Sequence, residues 1–173
     1  MSQAAQYTIP FGNLPVGKHE FSFKVKDAFF EQFENSEIKK GDFLIQIVLQ
    51  KQTGMLLLSF RIKGKAQVEC DRCGEEFLMK VEGEQNLIVK LDGEDMADND
   101  EIVSLSSSVN EVDVTTFIYE YIILSLPLRR THTGKKGKNA CDPEVIRKLE
   151  EIAVHSEASE DPRWKALKNI KLS

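Results

Sequence analysis

Val68-Glu69-Cys70-Asp71-Arg72-Cys73-Gly74-Glu75-Glu76-Phe77 joins two stretches of alternating hydrophobicity, and its reading decides the architecture. On its N-terminal side, Leu57 to Val68 alternate through Ile62, Gly64 and Ala66; beyond it, Phe77, Met79 and Val81 do the same. Alternation at period two places one face against a core and the other in water, which favours antiparallel strands. The paired cysteines, followed at once by Gly74, have the shape of a metal knuckle. The spacing turns both thiols to one side of a tight turn, and the glycine relieves crowding there. The stretch predicts a β-hairpin with two thiols at its tip.

The same pattern extends outward. Phe21, Phe23 and Val25 alternate, as do Phe43, Ile45, Ile47 and Leu49, and then Leu87, Val89 and Leu91. Gln52-Thr53-Gly54 and Glu82-Gly83-Glu84 are expected to turn hairpins. Asp27 to Phe33 reads as a short helix capped by Asp27, with Phe29, Phe30 and Phe33 inward. Residues 92–101 are rich in Asp and Glu and read as a solvated acidic loop; their carboxylates are out of register for an EF-hand. The second half is helical. Asp113 caps a run with Val114, Phe117, Ile118, Tyr121 and Ile122 on one face, ending before Pro127. Asp142-Pro143 opens another helix, with Val145, Ile146, Leu149 and Ile152 inward, and Asp161-Pro162 opens a last one carrying Trp164, Leu167 and Ile170. Strands first and helices later predict an α+β fold: a mostly antiparallel sheet from the N-terminal half, with helices from the C-terminal half packed on it. The expected layout is one domain over residues 1–173, with an acidic loop at 92–101, a basic loop at 128–140 and a helical tail at 142–170.

Formal net charge is −5, so the chain as a whole repels nucleic acid and anionic membrane, and any such contact needs a local basic patch. The three cysteines are too few and too odd in number for a secreted disulfide framework. The N-terminus lacks the basic and apolar regions of a signal peptide, and the apolar runs are too short to cross a bilayer. A cytoplasmic location is expected.

The basic patch is Leu128-Arg129-Arg130-Thr131-His132-Thr133-Gly134-Lys135-Lys136-Gly137-Lys138, which holds no carboxylate. Arg129, Arg130, Lys135, Lys136 and Lys138 are candidate phosphate contacts, and the glycines let backbone N–H groups approach as well. A solvated surface loop is the competing reading. The segment is not a nucleotide loop, because its glycines are too close for a Walker A motif. Few aromatics interleave with its charges for base stacking.

Three readings of the cysteines stand side by side. Cys70, Cys73, Cys141 and His132 are the right types for a structural zinc site, although His132 and Cys141 fall outside ordinary knuckle spacing. His19 and His155 are alternative nitrogen ligands. Thiol redox chemistry is the second reading; it lacks a helix N-terminus at the motif, and Glu75 and Glu76 are expected to raise the thiol pKa. In the third, the thiols are reduced spectators. No serine, cysteine or histidine sits in a recognisable catalytic motif, so an enzyme is not expected.

Val68-Glu69-Cys70-Asp71-Arg72-Cys73 with Phe77 and Val81, the Asp113 helix running into Leu124-Ser125-Leu126-Pro127, and Asp161-Pro162-Arg163-Trp164 together resemble the YceD-like family. The resemblance spans roughly residues 55–170. It implies a non-catalytic factor in accumulation of large-subunit ribosomal RNA and in ribosome biogenesis. The implied partner is that RNA or the pre-ribosomal particle, with no small-molecule substrate. A protein–protein adaptor that binds a ribosomal protein or assembly factor, presenting the acidic loop to it, is the alternative. Relatives carry a second cysteine-rich segment between the Leu-Pro and Asp-Pro-Arg blocks; here it retains only Cys141, with His132 upstream. Arg72 and Arg163 are expected to hold the fold through carboxylates or to touch RNA.

Overall fold

The computed structural model describes residues 7–91, 102–106, 108–134 and 140–153. Four long strands form an antiparallel meander: β2 (Gly17–Val25), β3 (Gly41–Gln52), β4 (Met55–Glu69) and β5 (Glu76–Lys90). Short β1 (Thr8–Pro10) precedes them and α1 (Asp27–Phe30) lies between β2 and β3. Strand β6 (Ile102–Ser104) joins β5 in parallel and closes the order β2-β3-β4-β5-β6. Strand β7 (Glu111–Asp113) returns to pair with β1 as a separate two-stranded ribbon. Helices α2 (Thr115–Leu124) and α3 (Pro143–Ile152) follow. The fold is α+β and its sheet is mostly antiparallel, as the alternation predicts.

The alternating residues share one buried face. Ile45, Ile47 and Leu49 of β3, Leu56, Leu58 and Ile62 of β4, and Leu87 and Val89 of β5 are fully buried. Ile118, Tyr121 and Ile122 of α2 cover them, with the Tyr121 ring edge-on to Phe60 at 5.0 Å. Asp113 accepts the Thr115 N–H at 2.8 Å and so satisfies one of the orphan donors of α2. The Thr53-Gly54 turn between β3 and β4 uses the positive φ (79°) of Gly54.

Three local expectations are corrected. Glu82-Gly83-Glu84 is not a hairpin; β5 runs through it without a break. Phe77, Met79, Val81, Leu87 and Val89 are all odd-numbered, so the inward face never changes parity there. Gly83 serves helix packing instead. A Cβ on it would lie 2.0 Å from Ser125 Oγ and 2.7 Å from Ser125 Cβ, at the C-terminus of α2. Asp27 does not cap α1: Lys26 stands at the cap, and the Asp27 carboxylate accepts the Gly41 N–H at 2.9 Å, fastening α1 to the start of β3. Phe29 and Phe30 are buried as expected, and Phe33 lies beyond the helix, stacked on Tyr119 at 3.9 Å. The apolar side of α3 does not enter the core. Among the described residues α3 buries no side chain, and Leu149 and Ile152 are exposed. Its periodicity reports an amphipathic helix, but the sheet is already covered by α2. The acidic loop 92–101 and the Asp161 helix, with Arg163 and Trp164, lie outside the described residues.

Candidate metal centre and basic loop

Residues 70–75 form the turn between β4 and β5. Cys70 N–H donates to Glu75 O at 3.0 Å, Gly74 N–H donates to Cys70 O at 2.8 Å, and Gly74 adopts φ 76°. A residue with a Cβ is strained at that dihedral, which explains the glycine after the second cysteine. The turn is docked to the segment after α2 by a reciprocal pair: Asp71 N–H donates to Arg130 O at 2.8 Å, and Arg130 N–H donates to Asp71 Oδ2 at 2.6 Å. The Arg130 guanidinium reaches on to Glu37 at 2.9 Å. Asp142 caps α3 by accepting the Glu144 N–H at 2.8 Å, and Pro143 occupies the first helical position.

These anchors bring four side chains together. One ligand atom from each of Cys70, Cys73, His132 and Cys141 lies within 4.8 Å of the others. Cys70 Sγ is 3.8 Å from Cys141 Sγ; His132 Nδ1 is 3.5 Å from Cys73 Sγ and 3.6 Å from Cys141 Sγ. Metal–ligand bonds of about 2.3 Å to sulfur and 2.0 Å to nitrogen give tetrahedral edges of about 3.8 Å for S···S and 3.5 Å for S···N. The cluster has the size and donor set to hold a metal ion. The four residues named from sequence are therefore those the fold assembles, despite the irregular spacing of His132 and Cys141. His19 is elsewhere, its Nε2 2.8 Å from Pro15 O, and His155 lies outside the described residues.

Sequence reasoning missed three supports of this cluster. The Phe77 ring packs on the His132 imidazole with centroids 4.4 Å apart, Asp71 holds the Arg130 backbone, and Glu37 holds its side chain. Phe77 and Asp71 lie within or beside the knuckle and were visible there as an aromatic and a turn carboxylate. Glu37 carries no local signal.

In the basic loop, Arg129 is exposed and has no ion pair among the described residues, whereas the Arg130 side chain is 28% exposed and bound to Glu37. Lys135, Lys136 and Lys138 lie outside the described residues. Arg72, expected to pair with a carboxylate or touch RNA, is exposed with no ion pair among the described residues. It lines a shallow cleft of about 400 Å³ with His132, Gly134, Cys141 and Arg147.

Residues 58–171 match the family described as large ribosomal RNA subunit accumulation protein YceD. The chain belongs to the YceD family. No curated protein and no solved structure matches it. The matched span takes in β5, α2 and every residue of the cysteine–histidine cluster. Among the described residues, no helix is long and apolar enough to cross a membrane.

The electrostatics of this YceD centre differ from the expectation that Glu75 and Glu76 raise the thiol pKa. Burial does push Cys70 up, but hydrogen bonds from the backbones of Arg72, His132 and Cys73, and from the Cys73 side chain, outweigh it and bring the pKa down to about 6. Both carboxylates are on exposed residues, where water screens them. Cys141 moves the other way, to about 11, through burial, hydrogen bonding to Cys70 and Cys73, and the charge on those two sulfurs. Cys70 is thus favoured as a thiolate by its hydrogen bonds, and Cys141 is kept protonated first by burial and then by its sulfur neighbours; a cation held by the four residues would favour the thiolate of both.

Proposed function

We propose that this YceD-family protein is a cytoplasmic, non-catalytic factor in large-subunit ribosomal RNA accumulation. A structural zinc ion presents its basic loop to RNA. The observation that carries the reading is the convergence of Cys70, Cys73, His132 and Cys141 within 4.8 Å of one another, with the Cys70–Cys141, Cys73–His132 and Cys141–His132 pairs at tetrahedral edge distances. His132 and Cys141 bracket Thr133–Ala140, so a cation held there fixes both ends of the segment containing Lys135, Lys136 and Lys138. Fixing the ends lowers the ordering cost of placing those lysines on phosphates. When bound, zinc supplies a fourfold cross-link and no reaction chemistry. Arg129, exposed, joins the lysines as a phosphate contact; Arg130 anchors the loop through Glu37 and Asp71.

The test combines elemental analysis with RNA binding. Protein purified without added metal is expected to carry about one zinc per chain. Neutralising Arg129, Arg130, Lys135, Lys136 and Lys138 together is expected to weaken association with large-subunit precursors on a sedimentation gradient and to flatten its salt dependence. Unchanged association removes the loop from the interface. A second reading, an adaptor for a ribosomal protein or assembly factor, is favoured by exposed Leu124 and Leu128 beside the loop. Association that survives nuclease treatment selects it. The acidic loop on which that reading first rested lies outside the described residues.

A further inference from the structure

The outer face of the meander, opposite the core, carries a lysine cluster that the fold does not use. Register places Lys24 of β2, Leu44 of β3, Lys63 of β4 and Glu82 of β5 side by side, and the next row holds Asp42, Lys65 and Lys80. Lys26 follows Lys24 in extended conformation, and Lys40 precedes Asp42. All six lysines are exposed, and among the described residues none has a carboxylate within 4.0 Å. Asp42 and Glu82 stand within these rows, Glu84 beside them is held by Arg61, and Lys40 borders a cleft that also holds Glu37, Glu69, Asp71 and Glu76, so the positive excess is centred on Lys24, Lys26, Lys63, Lys65 and Lys80.

Lys63 faces Glu82 and Lys65 faces Asp42 as opposite-charge pairs, but one pair in the cluster is repulsive. Lys65 and Lys80 are directly opposed across the β4–β5 ladder, and like charges in that position destabilise a sheet. Lys63 stands on the same face as Lys65, about 7 Å along the strand. A cost of this kind is offset when a polyanion lies over the face. Adjoining rows hold Ser22, Gln46, Ser59 and Asn86, which suit sugar hydroxyls, together with Glu20, Val48 and the Arg61–Glu84 ion pair, and none of the residues these strands direct outward is aromatic. Without aromatic platforms the face cannot stack unpaired bases. Lysines and hydroxyl-reading side chains without aromatics match the phosphates and 2′-hydroxyls of A-form RNA.

We propose that this outer sheet face, centred on Lys63, Lys65 and Lys80, is a docking surface for double-helical RNA, distinct from the basic loop. The proposal rests on the RNA-binding reading above and adds where and in what form the RNA lies. The test uses the full chain and fluorescence anisotropy with a labelled duplex RNA and a single strand of the same sequence, across a salt series. The wild type is expected to prefer the duplex. Replacing Lys63, Lys65 and Lys80 by Ala is expected to lower duplex affinity at least tenfold near 0.1 M salt and reduce the salt slope by about 2–3. The thermal midpoint should change little, because the Lys65–Lys80 repulsion is lost together with the attractive Lys63–Glu82 and Asp42–Lys65 pairs, and arginine at the three positions should restore binding.

A triple-alanine variant that binds duplex as tightly as wild type, with the same slope, overturns the proposal while leaving RNA binding through the loop intact. A preference for the single strand also overturns it. Wild-type protein that binds neither RNA but captures an acidic protein overturns the RNA reading itself.

Discussion

If the four side chains hold a structural zinc ion as proposed, removing it, or one of the four residues, should release α3 and the segment before it while sparing the sheet. The cluster joins Cys70, at a hairpin tip held by the β4–β5 ladder, to Cys141, 71 positions later and immediately before α3. By chain-entropy reasoning, cross-linking residues that far apart contributes about 4 kcal/mol. That figure bears on α3 more than on the core. Among the described residues α3 buries no side chain, and a helix of its ten residues is marginal in water without a tether. The β3 and β4 amides, beneath fully buried Ile45, Ile47, Leu58 and Ile62, need no metal. Native-state hydrogen exchange followed by mass spectrometry reads both regions in one sample. Chelation, or Cys141→Ser, is expected to raise exchange in 128–134 and 143–152 by two or more orders of magnitude, up to the roughly thousandfold that about 4 kcal/mol allows. Exchange in β3 and β4 should change little. Equal protection of α3 with and without chelator refutes the idea that the four side chains hold a structural cation.

Cation affinity should rise with pH. Between about 6 and about 11 Cys70 is a thiolate while Cys141 keeps its proton, so each cation bound displaces at least one proton, and affinity gains about tenfold per pH unit per proton. Calorimetry in buffers of different ionisation enthalpy counts the protons; a count of zero contradicts the assignment. In the metal-free protein the Cys70 contribution to stability is present above the ordinary thiol value and lost as pH falls through about 6. The Cys141 contribution is present below that value and lost as pH rises through about 11. Phe77→Ala should weaken cation affinity about 10–100-fold by freeing the His132 ring, a loss read by competition with a chromogenic chelator, and Phe77→Leu should recover part of it. Gly83→Ala should cost about 1–3 kcal/mol in denaturant unfolding because its Cβ meets Ser125; adding Ser125→Gly should return part of that loss, and strict additivity of the two would argue against the contact.

Much of the sheet was legible from parity alone. The inward residues of β2, β3 and β5 follow from alternation, as do Ile62, Ala66 and Val68 of β4, whereas the unbroken apolar run Met55–Leu58 hides that Leu56 and Leu58 turn inward and Leu57 does not. The knuckle declared its own position, since two thiols and a glycine at that spacing demand a turn. Asp113 and Asp142-Pro143 marked helix starts through the chemistry of unsatisfied N–H groups. Gly83 misled because glycine signals a turn and a close approach with the same letter. Parity on either side of it carried the better information.

Sequence by itself determined which residues turn inward and where the chain turns at Cys70, since both follow from neighbours a few positions apart. Only the tertiary structure decided that His132 and Cys141 meet Cys70 and Cys73, that β1 pairs with β7, and that lysines from separate strands share one outer face. Those juxtapositions depend on cross-strand register and on the docking of Asp71 against Arg130. Such contacts join residues tens of positions apart, whose proximity is set by packing of the whole core rather than by any local periodicity.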